Sequence, residues 1–544
     1  MRLLVPLAIA ALSGTLLTGC SDHHDPVVDP DTGAVSRGID AEKYVDDYDE
    51  QEDEDSGVQY SAGGSSDMSA GGQVPELPQP DEDNTFADAG TSGVVATADD
   101  RASTFGLDVD TGSLGVARTL LRDGYPVPPE SVRAEEWING FPYDDPTPTD
   151  ADLAVTAETG IAPTLDDGTQ VVRVAVAARE VAPVDRPRVN VTLVVDRSGS
   201  MDIRNRLGLV QSSLALLADR LRDDDTVSVV SFEDQATPIL EPTPVADTDA
   251  ILGAVEKLSP GGSTNLEAGL QLGYQQARDA FDPDAVNLVV LCSDGVANVG
   301  ETGPGRITDL IAREGADGIH LVTVGYGMGN YNDHLMEQLA DQGDGFYAYV
   351  DTFSEAERLF AQQLTTTLVP VAEEARAQVD FDPEAVTSYR LIGYENRAIA
   401  DEDFEDLGVD AGELGSGHHA TALYEVTLGE GVAAGDLLGT ASVRWRSPDG
   451  SPAQQSAPVV AAATDATPSA ELALATTVAD LAQLMKGDPA YTERGVSIDD
   501  LAARAADLEQ KDVTGGGERE LGRRRRSARR GHDRGALLGG AAVR

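Results

Sequence analysis

The sequence predicts an α/β fold: a doubly wound, mostly parallel sheet inserted in a flanking β-rich sandwich, with short helical N- and C-terminal regions. Three observations carry this reading. Valine-rich apolar runs, too short for helices, end in polar turns at 189–196, 289–294 and 319–327, as strands buried on both faces do. Helical leucine spacing follows the first run, so strand and helix alternate. Segments of period-two alternation stand on both sides of this block, so the two flanks are expected to pair with one another.

The elements follow in order. Leu207, Val210, Leu214, Leu217 and Leu221 recur at three to four residues and predict one buried helix face. Residues 226–232 (TVSVVSF) read as a strand, and 247–258 and 266–281 as helices; further helices are expected at 334–340 and 354–364. The flanking strands lie within 153–181 on one side and 375–447 on the other. Near the C terminus, Leu472, Leu474, Val478, Leu481 and Leu484 form the packing face of a helical region.

Composition divides the rest of the chain. Residues 1–20 combine a basic start at Arg2, an apolar core from Leu3 to Leu12 and the tetrapeptide LTGC ending at Cys20. The apolar stretch is too short for a comfortable membrane span. Residues 21–100 are acidic or small, with runs such as DDYDEQEDED. They hold too little apolar surface to offset chain entropy, which predicts a disordered tether. The remaining blocks are 101–150 (helical), 151–187 (β flank), 188–368 (the α/β body), 369–465 (second β flank), 466–510 (helical) and 511–544 (basic, Gly-rich). The last block either binds an acidic polymer or lipid headgroups, or is a disordered or frame-shifted end.

The motif in the α/β body is D-R-S-G-S at 196–200: one carboxylate, Asp196, and two hydroxyls, Ser198 and Ser200, at the carboxyl end of a buried strand. Thr264, in the loop GGSTN, and Asp294, at the end of VVLCSD, add a third hydroxyl and a second carboxylate. Ligands of doubly wound sheets sit at the carboxyl ends of strands. A cradle of oxygens without sulfur or imidazole suits a hard cation such as Mg²⁺, which keeps several waters and needs few protein ligands. Taken singly, these residues are ordinary turn and capping residues; the set in this order is not.

Asp196, Ser198 and Ser200 with the distant Thr264 and Asp294 resemble the metal-ion-dependent adhesion site of the von Willebrand factor type A (VWA) family, whose sheet is Rossmann-like. The resemblance implies that Ser198, Ser200 and Thr264 touch Mg²⁺ or Mn²⁺, that Asp196 and Asp294 act mostly through water, and that one position stays open for a partner's carboxylate. The strings STFGLDVDT, ESVRAEEWINGFPY, GNYNDHLMEQLADQGDGFYAYVD and RLIGYENRAIADEDF further resemble a bacterial subfamily of VWA lipoproteins of the YfbK type. Its likeness runs over about 101–500. The first twenty residues resemble a bacterial lipoprotein signal, which implies cleavage before Cys20, lipidation of that thiol and anchoring in the cell envelope, with Ser21 favouring the outer membrane. Acyl chains at about 0.8 kcal/mol per buried methylene make such an anchor lasting.

The sequence also narrows function. With 95 Asp and Glu against 39 Lys and Arg, a formal charge of −56, the surface should repel nucleic acid and anionic membranes. No HExxH, GxSxG or Cys and His pairing is present, and the seven histidines are scattered, so an enzyme, including a metal-dependent hydrolase, is not expected. DTG occurs at Asp31–Gly33 and Asp110–Gly112. Paired catalytic aspartates need matched rigid settings, and a tether cannot supply one. Cys292 lies in an apolar strand and reads as a buried thiol. What remains is a module that binds a protein or polymer ligand through the metal; the alternative is an envelope assembly or scaffold factor with a structural or vestigial metal site.

Overall fold

The computed structural model describes residues 26–29, 34–48 and 86–514, apart from 108, 162–163, 165–168, 296–303, 328–331, 364–368 and 410. Cys20, the leader, Asp31 and the basic block 515–544 lie outside the described residues.

The α/β body is a six-stranded sheet. From one edge to the other run Tyr347–Val350, Ile319–Tyr326, Ala285–Ser293, Arg188–Asp196, Thr226–Phe232 and Ala236–Pro244. The first five are parallel, and the last is an antiparallel edge strand. Central strands such as Arg188–Asp196 are buried from the second residue on, which explains their unbroken apolar sequence. The helix Leu209–Arg220 covers one face, with Leu207, Val210, Leu214, Leu217 and Leu221 all buried as their spacing predicts. Leu266–Asp279 and Pro304–Ala316 lie on the opposite side, where Leu270, Tyr274 and Ile311 share a core with Val194, Val289 and Leu321.

The edge strand Ala236–Pro244 escaped the sequence reading. It carries prolines at 238, 242 and 244, and none of its residues is buried. Proline is tolerated on an edge because the missing N–H leaves no ladder bond unmade in the sheet interior. The last helix also differs from expectation: Phe353–Ala356 is helical and then widens into a π-turn over Glu357–Gln363.

Two antiparallel sheets form the sandwich. One holds Leu153–Gly160, Thr169–Ala178, His419–Leu428, Val386–Ile392 and Val95–Ala96; the other is built on Pro370–Phe381, paired with Leu437–Arg446 on one side and with Ala102–Gly106 and Leu414–Gly415 on the other. Each sheet therefore combines strands from before and after the α/β body, as expected of an insertion. Val172, Val174, Val379, Phe381, Tyr424 and Trp445 meet in their common core.

The helical blocks close the gaps. Gly112–Asp123 packs on the sheet edge, where Gly112 and Gly115 let its backbone approach Tyr347 and Tyr349. Trp137 and Ile138 share a core with Leu472, Leu474, Val478 and Leu481 of the helix Ala470–Lys486. A buried ion-pair group ties the first block to the body: Arg133 pairs with Glu136 and lies 2.7 Å from Asp333. Asp110, half of the apparent protease signature, is a structural acceptor: its Oδ1 takes the Tyr347 N–H at 2.8 Å.

Residues 34–48 depart from the tether expected over 21–100. Arg37 is buried, and its Nη1 donates to the carbonyls of Ala218 at 3.0 Å and Leu221 at 2.6 Å, at the end of the helix Leu209–Arg220. Asp219 in turn accepts the N–H groups of Arg37 and Ile39 at 2.8 and 3.0 Å. A short helix, Lys43–Asp46, then buries Tyr44 and Val45 in the core of the body. A cation and a few apolar residues at helix ends suffice to dock a strap in an otherwise acidic stretch, and composition averages hid them. Val95–Ala96 likewise joins the sandwich by pairing with Val386–Ile392.

Candidate metal centre

The parallel neighbours Arg188–Asp196 and Ala285–Ser293 end side by side, so Asp196 and Asp294 leave the sheet at the same edge. Both carboxylates are fully buried. The backbone N–H of Ser198 donates to Asp196 Oδ1 at 2.9 Å, and the Ser293 hydroxyl donates to Oδ2 at 2.8 Å. The hydroxyls of Ser198 and Ser200 are 3.0 Å apart.

The Thr264 loop is stitched to this turn through the backbone. Gly199 N–H donates to Gly262 O at 3.2 Å, Gly261 N–H to Arg197 O at 2.8 Å, and Asn265 N–H to Glu233 O at 2.7 Å. Asn265 then caps the helix Leu266–Asp279 by accepting from Ala268 N–H at 3.1 Å. Gly262 has φ +79°, and a Cβ there would meet the Glu233 side chain at 2.6 Å, so the loop's path requires glycine. Thr264 itself is buried. The structure thus brings the three segments predicted from sequence to one edge of the sheet.

Electrostatics mark the place. Burial first, and the neighbouring Asp294 second, push the Asp196 carboxyl up to about 7, against the pull of its hydrogen bonds from Ser198 and Ser293. Two carboxylates sharing a dry site raise each other's cost, and a cation between them removes it. The donors are all oxygen and only two are carboxylates; among the described residues no group of three or more His, Cys, Asp and Glu gathers to hold a metal, here or elsewhere. Two carboxylates and three hydroxyls fit a hard, partly hydrated divalent ion such as Mg²⁺ or Mn²⁺.

Sequence reasoning missed four contributors. Arg206 Nη1 donates to Asp294 Oδ2 at 2.9 Å and to Ser200 O at 2.6 Å. Ser293 orients Asp196, while Arg197 pairs with Glu233 at 2.6 Å on the rim. The hydroxyl before Asp294 was visible in sequence; the arginine, ten positions after Asp196 on a π-turn over Arg204–Gly208, had no periodic signal. Cys292 is buried, and burial pushes its thiol up to about 12, as an inert core residue. His418, half-buried, is held down to about 3 by desolvation and then by His419 and Arg358.

Comparison with known proteins agrees with this architecture. The von Willebrand factor type A domain family matches residues 190–362, and "Uncharacterized protein YfbK, C-terminal" matches 366–521. A third match, "von Willebrand factor", spans 80–173. The chain is 36% identical over 386 residues to Uncharacterized protein YfbK of Escherichia coli (strain K12), covering 66% of this chain and 67% of that protein. It is 27% identical over 281 residues to Uncharacterized protein sll0103 of Synechocystis, covering 51% of this chain and 66% of that one. Human inter-alpha-trypsin inhibitor heavy chain H2 is 29% identical over 192 residues, 33% of this chain but 20% of the inhibitor chain. Among solved structures, a von Willebrand factor type A protein from Catenulispora acidiphila aligns with a TM-score of 0.40 and 17% identity over 67% of this chain and 88% of that chain. The chain belongs to the YfbK family of VWA proteins, with its type A domain set between two family-specific flanks.

Proposed function

We propose that this chain is an envelope-anchored binding protein whose VWA domain engages a protein or polymer ligand through a divalent cation. Ser198, Ser200 and Thr264 would hold Mg²⁺ or Mn²⁺, with Asp196 and Asp294 acting largely through water. Bound there, the cation supplies a Lewis-acidic position that a partner's carboxylate fills. The observation that carries the reading is the pair of fully buried carboxylates at the ends of adjacent parallel strands, with the Ser293 and Ser198 hydroxyls on Asp196 and Ser200 beside Ser198. Hydrogen bonds aim both Asp196 oxygens, and the Gly261–Gly262 turn sets the Thr264 loop against the Asp196 turn. The reading is non-enzymatic: this set would hold an ion, and the proposal assigns no general base or nucleophile beside it.

Anchoring belongs to the same proposal. Cys20 would carry the lipid and place the body at the outer membrane, facing periplasm or surface. Radiolabelled palmitate should enter the wild-type chain and be lost in Cys20→Ala, which should also leave the membrane fraction. For binding, the chain is recovered from its own cells after crosslinking, with Mg²⁺ or with chelator. A partner captured only with Mg²⁺ and lost in Ser198→Ala supports the reading; capture indifferent to both favours a scaffold whose metal site is structural or vestigial.

A further inference from the structure

Arg206 is a cation built into the centre that its resemblance to a cation cradle does not account for. Its guanidinium is buried, bonded at 2.9 Å to Asp294 and at 2.6 Å to the carbonyl of Ser200. It thus ties the Asp294 strand end to the D-x-S-x-S turn. The π-turn Arg204–Gly208 aims the side chain inward, with the Arg206 N–H donating to Ile203 O at 2.9 Å. Gly327, at φ +71°, brings its backbone against the guanidinium stem, where any Cβ would collide with it. The side chain is therefore built in on three sides.

Charge counting gives the consequence. Asp196, Asp294 and Arg206 together carry one negative charge when both carboxylates are ionised, and a divalent ion takes that sum to plus one. Without the arginine the same ion would leave the centre neutral. On the rim Arg197 is matched by Glu233, and the further carboxylate of Asp234, which accepts from Ser263 beside Thr264, is exposed and screened by solvent. A buried positive charge beside a cation weakens that cation's binding, and the same charge draws an anionic ligand towards the loaded site.

We propose that Arg206 is a specificity-determining residue: it sacrifices affinity for the metal so that the loaded centre stays cationic and selects anionic, carboxylate-class ligands. The inference rests on the metal-site reading above and deepens it.

The test titrates Mn²⁺ into the full chain in mild detergent, with free ion read by electron paramagnetic resonance, for wild type, Arg206→Met, Arg206→Lys and Asp196→Ala. Arg206→Met should bind Mn²⁺ roughly tenfold or more tightly, as removal of a nearby like charge requires, while Arg206→Lys should stay near wild type. Acetate, the probe anion, should displace Mn²⁺-bound water, read by proton relaxation, in wild type at concentrations that leave Arg206→Met unchanged. A purely structural arginine predicts the opposite sign, because a loosened cradle binds metal less well. Circular dichroism of each variant checks its fold, and Arg206→Gln offers a second neutral replacement should Arg206→Met fail to fold. Equal or weaker Mn²⁺ binding in folded neutral variants, with wild-type binding abolished by Asp196→Ala, overturns the inference and leaves the metal site standing. Absence of saturable binding in wild type and variants alike overturns both.

Discussion

Asp196→Asn is expected to stabilise the metal-free protein at pH 8 while abolishing its response to Mg²⁺. Asp196 is buried and its carboxyl is pushed from 3.8 to about 7 by desolvation and by Asp294. A carboxyl raised in the folded state holds a proton that the unfolded chain has released. Its contribution is therefore full below pH 3.8 and is lost as pH rises through about 7. At about 1.4 kcal/mol per pH unit, the ionised group at pH 8 costs roughly 4 kcal/mol as an upper figure. Asparagine keeps both contacts: its carbonyl accepts from Ser198 N–H, and its amide donates to the Ser293 hydroxyl. The assay is thermal unfolding at pH 5 and pH 8, in chelator and in excess Mg²⁺. At about 2 to 4 °C per kcal/mol for a body of this size, the variant should melt several degrees above wild type at pH 8 in chelator. Wild type should recover the difference in Mg²⁺, since binding to the native state alone adds stability as the ion saturates. A variant that melts below wild type in chelator, or that still climbs with Mg²⁺, would refute the reasoning.

Other consequences follow from single contacts. Arg37→Ala removes a buried cation from the end of the Leu209–Arg220 helix and strips the Asp223 pairing; a loss of about 2 kcal/mol is expected, read by chemical denaturation, and proteolysis should newly cut within 34–48. Gly262→Ala forces a side chain against Glu233 in a positive-φ turn; the folded body should persist by circular dichroism while calorimetric Mg²⁺ affinity falls at least several-fold. His418 is kept neutral down to about pH 3 by desolvation and the neighbouring His419 and Arg358, so the unfolded chain binds a proton that the native one refuses. Stability from this group is present above its usual 6.5 and is lost as pH falls towards 3. His418→Gln should flatten the acid side of the stability profile between those limits.

Strand ends and hydroxyls were legible in sequence because each has a local signature. An unbroken valine run ending at Asp196 announces a buried parallel strand, and Ser198, Ser200, Thr264 and Asp294 can be placed once the other strand ends are found. Period-two alternation in 153–181 and 375–447 announced the sandwich, whose strands do pair across the inserted body. What was not legible depended on contacts distant in sequence. Arg37 reads as one basic residue in an acidic stretch until the carbonyls of Ala218 and Leu221, some 180 positions on, are set beside it. Arg206 likewise has no meaning before Asp294 is folded against it. The prolines of Ala236–Pro244 disfavour a strand inside a sheet, and its place at the sheet edge reconciles them.

Calorimetric titration of Mg²⁺ and Mn²⁺ into the wild-type chain, with Asp196→Ala and Thr264→Ala alongside, tests the central claim most directly. The strong negative charge of the chain will gather cations nonspecifically, so the titration is run in enough monovalent salt to screen the surface. One saturable site in wild type, lost in both variants, is the predicted result. Binding that is absent, or that survives both substitutions, would contradict it.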